Sequence, residues 1–459
     1  MTTKITSLTD LLTALAHHQP QTLQLQTSIL CPYAITLPPG YTLCGTDKDK
    51  CMLSFNNSDG IGITANNTIR DLTIMTTPSC RAIFSHTGHP DMGTITLHNL
   101  CITGQVSVMI RQGTHRLVLH AGDIDIVSCD ARRYSEQPQK YGVNVYQGAF
   151  TVYNFNGDTA SHIEARLTDI TIGRKNAPVI GSGIFISGFG DNGGWVTLQK
   201  LTTGAIYSNG MLPYGTADMI TAAVFIVFGV KAKTVVHHGE IVTYGVNDMV
   251  LDTWGAVDTW TAQEQLISHG PSGIGFVNFG TVDTFTAKKE IITHGPGARG
   301  FNQYDGTVKN IHLKSITTHG DGSIGIQISK PIGSIHIAEN ITTHGGIGNT
   351  LVKGVLMPLP AIAFSIKPGG AVESFAVQGD ITTYGANVDA YTIDGGKLEH
   401  IQVAGLISAQ GPNAHAIVVS AGGSTPLTNV TAGAKSGQVL VNNGGTITDK
   451  SGFTEEIVS

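Results

Sequence analysis

From residue 240 onward the chain alternates apolar and polar positions in short runs, each closed by a glycine. Alternation with period two, rich in Ile, Val and Thr, reads as strands rather than helices. One phrase recurs: aliphatic, small or aliphatic, Thr or Ser, ring, Gly. It stands at Ile241 to Gly245, Leu266 to Gly270, Ile291 to Gly295, Ile316 to Gly320 and Ile341 to Gly345, with weaker copies at Ile381 to Gly385 and Leu406 to Gly411. The first five closing glycines lie 25 residues apart, and the next interval is 40, which implies a 15-residue insertion.

A repeat this short cannot bury its own apolar face and must stack on its neighbours. Propeller blades need about 40–50 residues and are excluded, and the leucine-rich pattern is missing. What remains is an all-β parallel β-helix, a β-solenoid of 25-residue coils with three strands per coil, for example Ile316–His319, Gly325–Ser329 and Ser334–Ala338. Near the start, Thr9 to Ala16 reads as a short amphipathic helix with Thr9 or Asp10 near its N-cap, suited to plug the open end of the solenoid. The expected organisation is one β-helix domain over 1–459: a cap over 1–30, irregular coils with insertions over 31–240, regular coils over 241–345, and an insertion with terminal coils over 346–459.

The period assigns faces. Counted from the repeat glycine, position −4 is always aliphatic and so points inward, and −2 shares its parity, giving an inward ladder of Thr243, Ser268, Thr293, Thr318, Thr343 and Thr383. Position −1 must then point outward, as a column of Tyr244, His269, His294, His319, His344 and Tyr384. At ~4.8 Å per coil these rings should stack. The column supplies neither a third metal ligand nor a second-shell carboxylate, so packing is the expected role and no metal ligand is assigned. In the second strand, +6 is inward (Leu251, Phe276, Phe301, Ile326). Position +9 is outward (Trp254, Phe279, Tyr304), with Asp252, Asn302 and Gln327 beside it at +7. Gly142-Val-Asn-Val-Tyr-Gln-Gly148 matches Gly300-Phe-Asn-Gln-Tyr-Asp-Gly306, which adds Asn144 and Tyr146. Insertions at Asp130 to Tyr141, Ala205 to Ile220 and Gly346 to Pro360 are expected to wall this aromatic face.

Composition agrees with many turns and few solvated helices: 57 of 459 residues are glycine and 13% are charged. A net charge of −6 offers no basic footprint for nucleic acid and no membrane patch. No charged-then-apolar leader opens the chain and no apolar run reaches the ~20 residues of a bilayer span, so a soluble, cytoplasmic protein is expected. The six cysteines, Cys31, Cys44, Cys51, Cys80, Cys101 and Cys129, form no CxxC pair and read as buried free thiols.

Two segments, Ala34-Ile-Thr-Leu-Pro-Pro-Gly-Tyr-Thr-Leu-Cys-Gly45 and Asn67-Thr-Ile-Arg-Asp-Leu-Thr-Ile74, resemble the opening coils of the pectin-lyase-like right-handed parallel β-helix superfamily. The resemblance covers most of the chain as architecture and implies right-handed winding. It implies no single activity, because the fold hosts many. The Asn-Thr-Asp, Asp-Asp and Gly-His-Asp motifs of its polysaccharide hydrolases do not occur here. Its lyases and epimerases need a cation to neutralise a uronate and a base to remove the adjacent proton. Asp252, Arg299 and Tyr304 are the catalytic candidates; of Asp248 and Asp252, only Asp252 has outward parity. Arg299, at +4, has nominally inward parity, where an arginine is unexpected. Asn144, Tyr146, Arg132, Arg133, Lys140, Tyr214, Asp218, Trp254 and Asn302 are the candidate substrate contacts.

No cofactor motif is evident, and a divalent cation such as calcium is the one cofactor left open. The expected partner is a saccharide or small-molecule ligand. Three functions stay open: a carbohydrate-active protein, lyase- or epimerase-like rather than hydrolytic; a non-catalytic glycan-binding or adhesin-like solenoid; and an intracellular isomerase or small-molecule enzyme. The Thr-His-Gly coils also resemble passenger coils of bacterial autotransporters, without the signal peptide or membrane barrel of those proteins.

Overall fold

The computed structural model describes residues 2–458 except 18, 87, 353 and 354, and only the backbone at 351 and 352. It is an all-β parallel β-helix with, among the described residues, a single α-helix. The chain packs as two compact units. Unit 1 comprises residues 1–139, 144–209 and 221–238; unit 2 comprises 140–143, 210–220 and 239–459. Among the described residues no helix is long and apolar enough to cross a membrane.

In unit 1 the helix spans Leu8–Leu15, with Leu11 and Ala14 buried. Its N-cap is Ser7, whose hydroxyl accepts from Asp10 N–H at 3.1 Å. The Asp10 carboxylate reaches back to the Thr6 N–H at 3.0 Å. Ser7 is thus the cap itself, and Asp10, expected near it, closes the first turn from the third helical position by bonding the residue before the cap. The coils that follow are irregular. Ile95 pairs with Leu119, Leu119 with Ala165, and Ala165 with Leu198, so successive coils differ in length. Asp71, Asn99, Asp123 and Asp169 turn the corners of long strands at positive φ, which short polar side chains tolerate best. Cys31, Cys44, Cys51, Cys80 and Cys129 are buried and unbridged, and Cys101 is half-buried. Burial pushes the Cys31 thiol up to about 11, so it behaves as a small core residue.

Unit 2 carries the regular repeat. Its first strands are Ile241–Thr243, Leu266–Ser268, Ile291–Thr293, Ile316–Thr318 and Ile341–Thr343. They pair in parallel, Leu266 with Ile291 and Ile291 with Ile316, so the ladder advances one repeat per coil. The second strands are Asp248–Thr253, Ile274–Asn278, Arg299–Gln303 and Ile324–Ile328. Third strands such as Ala256–Ala262, Thr281–Ala287 and Thr307–Leu313 complete each coil.

The interior follows the period. The −4 aliphatics and the −2 hydroxyls are fully buried, and Thr243, Thr318 and Thr383 each donate to the carbonyl five residues on, of Asp248, Ser323 and Val388. Those bonds hold the turn that leads into the second strand. Inside the coils Phe276 stacks on Phe301 with centroids 5.4 Å apart and on Phe285 at 4.0 Å. Each such ring contributes ~1.5–3 kcal/mol by burial.

The 15-residue insertion forms an antiparallel hairpin, Ile347–Val352 with Val355–Pro360; residues 353 and 354 lie outside the described residues. It packs on the turns between the first and second strands of earlier coils, where Thr350 donates to Gly297 O at 2.9 Å and Gly346 N–H to Asp321 Oδ1 at 2.7 Å.

Candidate functional site

Two outward columns run along unit 2. The first is the ring column at −1. Its histidines are exposed and stacked, with centroids 4.9 Å apart from His269 to His294, to His319 and to His344, at interplanar angles of 8°, 4° and 4°. Tyr244 and Tyr384 close its ends at 5.2 and 5.0 Å. Partial burial, then the neighbouring imidazoles, lower the pKa of His294 and His344. Among the described residues no three His, Cys, Asp or Glu gather as a metal site.

The second column is the +9 stripe. Phe279 stacks on Tyr304 with centroids 5.1 Å apart at 14°, and Trp254 meets Phe279 edge-on at 6.2 Å. Side-chain amides hold the turn beneath it: Asn278 donates to Gln303 Oε1 at 3.0 Å, and Gln303 donates to Asp305 O at 2.6 Å. Tyr141 covers the stripe. Its ring lies 4.5 Å from Phe279 and 5.4 Å, edge-on, from Trp254, and its hydroxyl donates to Phe279 O at 3.4 Å. The backbone places it there through two successive left-handed residues, Tyr141 at φ 55° and Gly142 at φ 84°. Segment 210–220 forms a second wall. It is pinned by Asp248, which accepts from Gly210 N–H at 3.1 Å, and by Asn247, which donates to Thr216 O at 2.6 Å.

Under these walls lies a cavity of about 450 Å³, built wholly from unit-2 residues. Val143, Ile220, Met249, Ile274, Val277 and Phe279 make its apolar part. Its polar groups include Asp252, Arg299, Tyr304, Asp305 and Lys330. A largely apolar cavity with a few convergent polar groups is the usual form of a small-molecule site.

Arg299 is the dominant electrostatic feature. It is 1% exposed, and its Nε and Nη2 have no hydrogen-bond partner among the described residues. Its guanidinium carbon sits 5.9 Å from the Tyr304 ring centroid. The carboxylate at the rim, Asp305, is 3.9 Å from Lys330 Nζ and pairs with it instead. A guanidinium keeps its charge in proteins, and burying one unpaired costs several kcal/mol, so the cavity favours an anion.

Arg299 departs from its nominal parity for a local reason. Met249, Ile274 and Arg299 all stand at +4 and all line the cavity. The next residue in the last two coils is Gly275 or Gly300, where a Cβ would come within 2.2 Å of Ile291 Cγ2 or 2.4 Å of Ile316 Cγ2. Parity counted from the first strand fails at +4, where the chain leaves the turn and enters the second strand.

The +7 residues also differ from expectation. Asp252 and Asn302 are fully buried rather than solvent-facing, because the loops cover their face. Asp252 still lines the cavity, and burial holds its carboxyl well above the usual carboxylate range, with Trp254 offsetting a part. Neither oxygen of Asp252 and neither side-chain atom of the Asn302 amide makes a hydrogen bond of normal geometry. Trp254 is buried under Tyr141.

The remaining candidates lie elsewhere. In unit 1, Arg132 is held 2.8 Å from Asp130, Arg133 Nη1 is 3.8 Å from Cys80 Sγ, and Asn144 and Tyr146 are half-buried. In unit 2, Lys140 sits 5.2 Å over the Tyr141 ring, Tyr214 is largely exposed, and Asp218 does not line the cavity. The residues missed from sequence are Tyr141, Met249, Ile274, Asp305 and Lys330. The position +4 that they share with Arg299 was the available signal for Met249 and Ile274. Comparisons with protein-family models, curated proteins and solved structures return no match to this chain.

Proposed function

We propose that the unit-2 cavity binds a small acidic saccharide, a uronate, and that the protein acts on it in the manner of a lyase or epimerase. The single observation that carries this reading is Arg299, a buried guanidinium lining a small-molecule cavity whose Nε and Nη2 have no hydrogen-bond partner among the described residues. A carboxylate would meet its free N–H groups in a charge-assisted pair. The parallel faces of Phe279 and Tyr304 offer a platform for the apolar side of a sugar ring. The parallel coils and the N-terminal helix support kinship with the pectin-lyase-like right-handed β-helix proteins, whose lyases and epimerases use a cation in this way.

Neutralising the uronate carboxylate makes the adjacent C–H more acidic. Tyr304, beside Arg299, is the group to take that proton as a phenolate; the carbanion then regains a proton on the other face in an epimerase, or in a lyase expels the C4 oxygen substituent, which leaves with the proton. A hydrolase would need two working carboxylates. Here burial pushes the Asp252 carboxyl well above the usual carboxylate range, and Asp305 is engaged by Lys330.

Thermal-shift and calorimetric titration with D-galacturonate, D-glucuronate and neutral D-galactose test the reading. The acids should raise the melting temperature and galactose should not. Arg299→Gln should weaken acid binding at least tenfold, ~1.4 kcal/mol. Equal binding of galactose, or full acid affinity in Arg299→Gln, would remove the proposal.

A further inference from the structure

The cavity holds a second buried polar side chain, and its chemistry is opposite to that of Arg299. Asp252 is fully buried, both its oxygens lack a hydrogen bond of normal geometry, and it lines the same cavity. The other titratable or charged side chains of the lining are Tyr141, Arg299, Tyr304, Asp305 and Lys330. Lys330 is engaged by Asp305, and among the described residues no ion pair joins Arg299 to Asp252. Register explains the separation. Asp252 pairs with Val277 and Val277 with Asn302, on the strand that carries Arg299, so the two polar groups lie two coils apart, ~10 Å along the stack.

The cavity therefore has two unlike ends. At one end a guanidinium waits for a negative charge. At the other is the carboxyl of Asp252, on the strand that also brings Met249 to the cavity, and among the described residues no ion pair supports its ionisation. An ionised carboxylate there would carry a desolvation cost of several kcal/mol without compensation. A carboxylic acid is a hydrogen-bond donor, and among the described residues neither Asp252 oxygen makes a hydrogen bond of normal geometry.

We propose that Asp252 stands as a neutral carboxylic acid and donates to an uncharged oxygen of the ligand, a hydroxyl or ether. The site then selects a mono-anion held at Arg299 over a dianion with a carboxylate at each end. This rests on the acidic-saccharide reading and adds polarity to it. A second carboxylate at the Asp252 end would shed its water with one O–H in exchange, and no cation stands near to repay that loss.

Two measurements test it. The first is infrared difference spectroscopy of ligand-free wild-type protein against Asp252→Asn at pH 7. It should show the C=O stretch of a protonated acid; a carboxylate band in its place overturns the proposal. The second is calorimetric titration of wild-type protein with D-galactonate and galactarate, open-chain acids that differ only in whether the far end is a hydroxymethyl or a carboxylate. Galactonate should bind at least tenfold tighter, and Asp252→Asn, which keeps a neutral donor, should preserve that ratio. Equal binding of the two, tighter binding of galactarate, or no binding of galactonate overturns the selectivity. D-Galacturonate separates the two readings. If its binding depends on Arg299 while galactonate and galactarate bind alike, the uronate site stands and the polarity fails. If wild-type protein binds none of the three acids, both fail.

Discussion

His294 lies between two imidazoles, each 4.9 Å away, so a proton taken up on one ring raises the cost of the next. The direction of the shifts fixes a pH dependence. Burial and like-charge neighbours lower the folded pKa of His294 and His344 below the ordinary 6.5, so the unfolded chain binds these protons more readily. Stability from these groups is fully present above about pH 6.5 and is lost as pH falls through the lowered folded values. Urea unfolding between pH 5 and 8 should show that decline, and His294→Gln should flatten it; a pH profile identical in the variant would contradict the coupling. The outward direction of these rings was legible in the sequence, because the ring precedes a glycine at constant spacing and an aliphatic residue three places earlier marks the interior. Arg299 was legible as an anomaly but not as a wall of the cavity. Its direction is set where the chain leaves the turn and enters the second strand at Arg299, and parity counted from the first strand does not carry across that corner.

That corner belongs to the scale of the element. At Gly300 an added Cβ would stand 2.4 Å from Ile316 Cγ2 and 2.6 Å from Gly325 O, and neither backbone nor a branched core side chain yields cheaply. Gly300→Ala should cost ~1–3 kcal/mol of stability, measured by denaturant melting. Because the same glycine adjoins Arg299 and frames the strand below Tyr304, acid binding should weaken with it. A melt unchanged from wild type would mean that the corner relaxes freely. The walls were legible only as insertions. Length marks a loop as long, but that Tyr141 folds back onto Phe279 and Trp254 depends on two left-handed residues and on a surface that exists only after the coils stack. Tyr141→Ala should uncover the stripe, raising the tryptophan emission wavelength as Trp254 gains solvent.

For the molecule as a whole, the regular part of unit 2 is a one-dimensional stack in which each coil leans on the coil before and after it. Its period is visible in the sequence because every coil meets the same packing constraint and answers it with the same residues. The coils of unit 1 vary in length, so their alignment emerges only from pairing, as in Leu119 with Ala165. The hairpin between Ile347 and Pro360 interrupts the period without breaking the stack: Ala361 N–H donates to Gly346 O at 3.2 Å, so its two ends meet, and Ile341 still pairs with Ile381 beyond it. Excising residues 347–360 should preserve the far-ultraviolet strand signal and leave acid binding in the cavity within about threefold, given ~0.6 kcal/mol for each doubling of loop length. Loss of the cooperative melt in that variant would show the hairpin to be part of the fold.

The central claim is that the unit-2 cavity receives an acidic sugar through Arg299. A crystal structure of the protein with D-galacturonate tests it most directly. Density for the sugar should lie between Tyr141 and the Phe279–Tyr304 faces, with its carboxylate within hydrogen-bond distance of Arg299 Nε and Nη2. Sugar density seated on the histidine column or elsewhere, with the cavity empty, would contradict it.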